Sequence, residues 1–377
     1  MLESCSDDDV KPARNSDGLD IDSLKKSVPT DARYQELIKL DTFPKINYQY
    51  IVIQDQTHLA NIKLEYKETP ENPSNNKMFC TLNRKERRFL RVGDTVLIAD
   101  TIMPDMVAYS IFPLIYPSAR DIKKLVIVSN AYQAYACYEY GKQVRFAATN
   151  SGKEKTQTYP GRYAMVWKQE LRISSLDSTW KMPYTWNIHR FSGSAFHKFD
   201  MPGYPASHSC LRQFLDDAKW LYKWGEGAKY DTANLAIHLT GTPVIIIDHF
   251  DYSRPKSGPW VALRSNKDTI LKVPEKPMEY EEALIPMSQI PKVSRGILPN
   301  REKYLYAEDT LRARGVIREG VEITVSVDFN KLRRLKKARR AKELQEKSNA
   351  ENSNENNKSI DDATIIKNLK ELEAKPK

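Results

Sequence analysis

The feature that most restricts the fold is a series of short apolar runs, each ended by turn residues, extending from "KKLVIVS" (Lys123 to Ser129) to "GTPVIII" (Gly241 to Ile247). Runs of this length that alternate apolar with polar residues, or are apolar throughout, are the mark of β-strands. In "AYQAYACYEYGKQVRFAATNSGK", Gly141 separates two alternating runs, as a hairpin turn requires. "TYPGRYAMVWK" adds a turn and a strand, and "MPYTWNIHRFSGSAFHKF" reads as two strands joined near Ser192 and Gly193. A helical pattern follows in "LRQFLDDAKWLYKW", directly after Cys210, with Phe214, Leu215, Ala218, Leu221 and Tyr222 as its apolar positions. The expected fold class is therefore mostly β with α, a β-rich domain over 121–250 with a helix following the cysteine.

At 377 residues the chain is long enough for two or three domains that bury cores without help from disulfides. Residues 1–33 form a polar leader, expected to be disordered. Residues 34–120, from "INYQYIVI" to "RVGDTVLIAD", read as a β or α+β region, 251–330 as a Pro-rich accessory region with short helical and strand-like pieces, and 331–377 as a basic helix with a polar tail. The net charge of +10 is concentrated there: "KLRRLKKARRAK" holds eight basic residues and no acidic one. Without it the body is nearly neutral, so no nucleic-acid partner is expected, and the segment reads as a solvated appendage or an adhesive for an anionic surface. No apolar run is long enough to span a bilayer. In "MLESCSDDDV", Leu2, Glu3 and Ser4 ahead of Cys5 resemble the end of a bacterial lipobox, and Asp7 to Asp9 resemble an export signal of surface lipoproteins. That resemblance implies lipidation and membrane anchoring at Cys5; the bland alternative is an acidic leader.

The four cysteines, Cys5, Cys80, Cys137 and Cys210, are too scattered for a disulfide scaffold or a CxxC zinc pair. Cys80 and Cys137 read as small buried hydrophobes. Cys210 differs, because "FHKFDMPGYPASHSCLR" surrounds it with polar and turn residues and with His197 and His208. A thiol of pKa about 8.5 needs a base or a positive neighbour to act as a nucleophile near neutral pH. His197 reaches the cysteine across a loop of twelve residues containing Pro202, Gly203 and Pro205, its ring free to be oriented by a backbone carbonyl. The amides of Ser209 and Cys210, at the start of the expected helix, are candidate donors for an oxyanion, and the same helix end would lower the thiol pKa. A zinc site built from His189, His197, His208 and Cys210 is the competing chemistry, although its spacing fits no common zinc pattern. Tyr184, Trp186, Tyr204 and Trp220 are core or turn packing before they are a groove, and His58, His238 and His249 have no supporting context.

"PGYPASHSCLR", followed by "DDAKWLYKW" and "GTPVIII", resembles the catalytic signature of the YkuD-type L,D-transpeptidases, a histidine, a spacer and Ser/Thr-His-Gly-Cys followed by Arg; "KKLVIVSNAYQAYACYEYGKQVRFAATNSGK" resembles their opening strands. The resemblance covers about Asp121 to Asp248 and implies a YkuD-like β-sandwich. It implies Cys210 as nucleophile, His197 as general base, Ser207 and His208 as flanking motif residues, and Arg212 as a contact for a carboxylate. Ser209 stands where the family has Gly, so a positive φ there costs roughly 1 kcal/mol or more. The spacer from His197 to Ser207 is nine residues and that from His189 is seventeen, which keeps His189 as the alternative base. His197 is favoured because "SGSAFH" puts it at the end of a strand leading into the Pro/Gly loop.

The implied activity is acyl transfer on peptidoglycan tetrapeptide stems, with release of D-alanine, a thioester at Cys210 and formation of 3-3 cross-links or a bond to another amine. No cofactor and no metal are expected, and carbapenem-type inhibitors are expected to react. The expected location is the periplasm or cell envelope. Hydrolysis by the same thiol and an inactive wall-binding lipoprotein are the alternatives.

Overall fold

The computed structural model describes residues 43–173, 181–254, 257–268, 270–325 and 339–346. The leader with Cys5 and most of the basic segment lie outside the described residues. The chain divides into two compact units, Met1–Arg172 with Lys181–Val327, and Ile173–Trp180 with Asp328–Lys377.

The two larger sheets of the first unit lie within residues 123–246. Five strands, β3 (Leu125–Ser129), β4 (Ala134–Glu139), β5 (Lys142–Ala148), β6 (Gly161–Ala164) and β11 (Pro243–Ile246), form a sheet in the order β5-β4-β3-β11-β6. The second sheet runs β10-β9-β8-β7, from β7 (Lys168–Ile173), β8 (Lys181–His189), β9 (Ser194–Lys198) and β10 (Leu211–Gln213). β3 and β11 are parallel neighbours at the centre, and both are buried on two faces, which is why they are apolar except for Ser129 at the end of β3. Val126, Val128, Val244 and Ile246 pack with Trp186, Phe196 and Leu211 of the second sheet, while Leu125, Ile127 and Ile245 face the opposite way.

Residues outside this double layer cover that opposite face. β1 (Tyr48–Val52) pairs antiparallel with β2 (Thr95–Ala99), with α1 (Gln56–Glu65) and α2 (Asn75–Asn83) between them in sequence. Phe79, Leu97, Tyr109 and Phe112 join Leu125, Ile127 and Phe146 in one core, together with Phe250 and Trp260 from beyond β11. Described residues of 43–120 and of 251–325 thus share hydrophobic cores with the β-rich segment between them. In the latter, α4 (Arg301–Ala313) adds Tyr304, Ala307 and Leu311 to the core on the second sheet's side; no named strand is found there among the described residues.

Hairpin chemistry is as expected at Gly141: Tyr140 and Gly141 both have positive φ, 46° and 79°, in the two-residue turn joining β4 to β5. Cys80 and Cys137 are buried and free. The expected helix directly after Cys210 is corrected. β10 comes first, because Leu211 to Gln213 pair in parallel with Phe196 to Lys198, and α3 begins only at Leu215 (Leu215–Trp224). α3 is anchored by Asp217, whose carboxylate accepts from Arg145 of β5 at 2.5 Å and 3.0 Å, while Leu215 is exposed.

In the second unit, residues 339–346 are an exposed helical stretch with Arg339–Glu343 and Lys342–Glu346 pairs at 3.1 Å and 3.9 Å. Pairs this exposed add little stability.

Candidate active site

The β9–β10 pairing places the chemistry. Phe196 lies opposite Leu211 and His197 opposite Arg212. Phe196 and Leu211 are buried in the core, so alternation turns His197, Arg212 and Cys210, the residue before Leu211, to the other face. The positive charge of Arg212 favours the neutral form of His197 and His208 and the thiolate form of Cys210.

His197 is buried, and its Nδ1 lies 3.0 Å from the Lys198 carbonyl oxygen. A carbonyl only accepts, so Nδ1 carries the proton and Nε2 keeps the lone pair. Burial holds its pKa down to about 4, against the pull of that carbonyl, and the ring is neutral at pH 7. Cys210 is half-buried; its Sγ lies 3.8 Å from the Gly193 carbonyl oxygen. Burial pushes the thiol pKa up, opposed by the Ala195 amide and by Arg212 and Arg172. The expectation of a thiol activated by a helix end is therefore corrected, since a strand separates Cys210 from α3 and the thiol is held in its protonated form.

His189, the alternative base, is committed elsewhere. Its Nδ1 accepts from the Ser192 amide at 3.1 Å, and its Nε2 lies 3.3 Å from the Tyr304 hydroxyl. It lines a cavity of about 450 Å³ with Tyr163, Ile237, Glu282, Lys303 and Tyr304, and Cys210 is not among the lining residues. Burial holds its pKa down to about 3.

The motif residues shape the turn. Ser207 donates to the Cys210 carbonyl, and its own carbonyl accepts from the Lys153 amide at 3.0 Å. The adjoining Gly152 bridges Ser207, and a β-carbon on it would meet the Thr156 carbonyl at 2.2 Å, so only glycine fits this approach. His208 Nε2 lies 3.0 Å from the Lys153 ammonium, and burial with Lys153 and Arg212 lowers its pKa to about 4. Ser209 is fully buried with φ of 80°. The Arg212 guanidinium donates to the Asp200 and Ala206 carbonyls, both at 3.1 Å, so it braces the Pro/Gly loop. Among the described residues no three of His, Cys, Asp and Glu converge as a metal site.

Sequence reasoning missed the groups that hold this loop from outside. The Glu86 amide donates to the Met201 carbonyl at 2.9 Å, and Lys85 bridges Pro202. Asn150 accepts from the Gly203 amide at 3.0 Å and donates to the Arg84 carbonyl at 3.2 Å. Arg84 is buried, donating to Thr81, Leu82 and Tyr132 carbonyls between the rings of Phe146 and Trp260. Lys153 and Ser194, which contact His208 and Ser209, also carried no local signal, because segments distant in sequence deliver them.

Three solved structures illustrate what the chain is similar to. An L,D-transpeptidase from Stackebrandtia nassauensis is 20% identical over 37% of this chain and 58% of its own, with a TM-score of 0.27. An Enterococcus faecium L,D-transpeptidase mutant is 20% identical over 33% of this chain and 50% of its own, with a TM-score of 0.26. L,D-transpeptidase 3 from Mycobacterium tuberculosis, in complex with a faropenem-derived adduct, is 17% identical over 33% and 60%, with a TM-score of 0.26. The chain thus spans between half and three-fifths of these relatives' length. No curated protein matches it. Residues 123–246, the segment that carries both sheets and Cys210, match the family of YkuD L,D-transpeptidase catalytic domains.

Proposed function

We propose that the protein is a cysteine L,D-transpeptidase acting on peptidoglycan tetrapeptide stems, with Cys210 as nucleophile and His197 as general base. The observation that carries this reading is the β9–β10 pairing, which sets His197, a neutral imidazole with its Nε2 lone pair, opposite Arg212, two residues from the half-buried thiol of Cys210. A thiol of raised pKa is a poor nucleophile until a base takes its proton during attack. The sulfur turns from the Gly193 carbonyl, passes its proton to His197 Nε2 and bonds to the carbonyl carbon next to the terminal D-alanine. The tetrahedral oxyanion is met by the Ser209 and Cys210 amides. Collapse breaks the amide bond, and the D-alanine nitrogen leaves with the proton held by His197. The thioester is then attacked by an amine, which gives its proton to His197 as the sulfur departs and recovers it.

Lys153, its ammonium beside His208 and pressed by Arg212, is the better-placed contact for a stem carboxylate, since Arg212 is occupied by loop carbonyls. Lipidation of Cys5 would hold the protein at a membrane of the cell envelope, facing the periplasm.

Mass spectrometry of the intact protein mixed with tetrapeptide muropeptides tests the reading. The expected result is an adduct at Cys210 equal to the stem minus D-alanine, followed by cross-linked dimers, and a second adduct at the same residue with a carbapenem. Tripeptide product without dimers would make the enzyme a carboxypeptidase by the same thiol. No adduct on folded, reduced protein would overturn catalysis in favour of an inactive wall-binding protein.

A further inference from the structure

Ser209 raises a physical problem that its neighbours solve. Its φ of 80° lies in the left-handed region, where a β-carbon is strained, and the residue is fully buried. The backbone angles at this position set the relative direction of the Ser209 and Cys210 N–H groups, so relaxation toward negative φ would scatter the two donors. A chain of buried hydroxyls opposes that relaxation. Ser194 donates through Oγ to Ser209 Oγ at 2.9 Å, Ser192 Oγ lies 2.8 Å from Ser194 Oγ, and the Ser194 amide donates back to Ser192 Oγ at 3.3 Å. All three serines are at most 3% exposed, so no water replaces these bonds cheaply. On the other side, the Ser209 carbonyl accepts from Thr158 Oγ1 at 3.1 Å. Ser192 and Ser194 flank Gly193, whose carbonyl faces the Cys210 sulfur, so one segment holds both the turn and the thiol.

We propose that Ser192, Ser194 and Ser209 form a hydroxyl latch that positions the Cys210 turn, with Ser194 as its central member, so that the two amides converge on the oxyanion. The latch rests on the reading of Cys210 as the acylated nucleophile. It acts on carbonyl substrates and not on alkylating reagents, because only the former develop an oxyanion. It also acts only where residue 209 has a β-carbon to restrain, since glycine takes positive φ unaided.

The test is a double-mutant cycle on the full chain, read as the rate of Cys210 acylation by a carbapenem, with iodoacetamide alkylation and thermal unfolding measured beside it. Ser194→Ala is expected to slow acylation at least tenfold while alkylation changes less than threefold. In the Ser209→Gly background the Ser194→Ala penalty is expected to fall below threefold. At position 209 itself, Ser209→Gly is expected to acylate at least tenfold faster than Ser209→Ala, and Ser194→Thr to recover most of what Ser194→Ala loses. Equal penalties in both backgrounds, or parallel losses in acylation and alkylation, would overturn the latch. If Ser194→Ala does not fold, the Gly and Ala variants at 209 decide, and equal rates there sink the proposal. A wild-type protein that no carbapenem or tetrapeptide acylates would instead overturn the nucleophile reading and the latch with it.

Discussion

His197 and His189 sit on neighbouring strands of one sheet, and both are kept neutral by burial, yet they face different chemistry. At His197 the hydrogen bond to the Lys198 carbonyl spends the N–H and leaves Nε2 as the nitrogen with the lone pair, on a strand paired with the one that follows Cys210. At His189 the Ser192 amide takes the lone pair, and the remaining nitrogen meets Tyr304 from α4 beside a cavity that Cys210 does not line. Depressed pKa alone therefore does not mark a catalytic base. What separates the two rings is which nitrogen the backbone occupies and which sheet face the register selects.

The largest expected effect is at the sulfur. Cys210→Ala should abolish acyl transfer while leaving thermal unfolding nearly unchanged, because the thiol is half-buried and its loss opens little of the core; turnover by the folded variant would end the assignment. The comparison itself is sharpened by two glutamine variants. His197→Gln should lower the acylation rate by about 10²–10⁴, the usual contribution of a general base, whereas His189→Gln should stay within about threefold of the parent. Stopped-flow acylation with a chromogenic β-lactam would read both, and the reverse ranking would move the base to His189.

A smaller effect is expected in stability against pH. The folded pKa of His197 lies at about 4, below its ordinary 6.5, so the unfolded chain takes up the proton first. Its contribution is fully present above pH 6.5 and is lost as pH falls through about 4. The shift corresponds to something on the order of 3 kcal/mol. Denaturant titrations between pH 7 and 4 should show a shallower fall for His197→Gln than for the parent, and identical slopes would mean that the imidazole is hydrated in the folded state.

Much of this molecule follows from local pattern. The β4–β5 turn needs positive φ in two successive residues, and Tyr140-Gly141 stands where the alternation breaks. The continuous apolar run of β11 marks a strand buried on both faces, and the residues around Cys210 carry a family's signature in their order alone. The helix does not follow Cys210 directly, for an equally physical reason. "LRQ" has no strong preference of its own, and its pairing with β9, thirteen or more residues away in sequence, outweighs a helical period that truly begins at Leu215. The brace on the Pro/Gly loop from Arg84, Lys85, Glu86 and Asn150 gives no sequence signal, because it works largely through backbone groups that every residue possesses.

By itself the sequence determined where the central strands lie, though not β10, and which cysteine is set in polar surroundings with which histidines near it in sequence, since these depend on residue type and short-range spacing. Only the tertiary structure decided which imidazole shares a sheet face with the sulfur, that Arg212 holds the loop, and that a serine at positive φ is clasped by two other serines. Each of those outcomes depends on strand register, and a shift of one residue would turn every side chain on β9 to the opposite face.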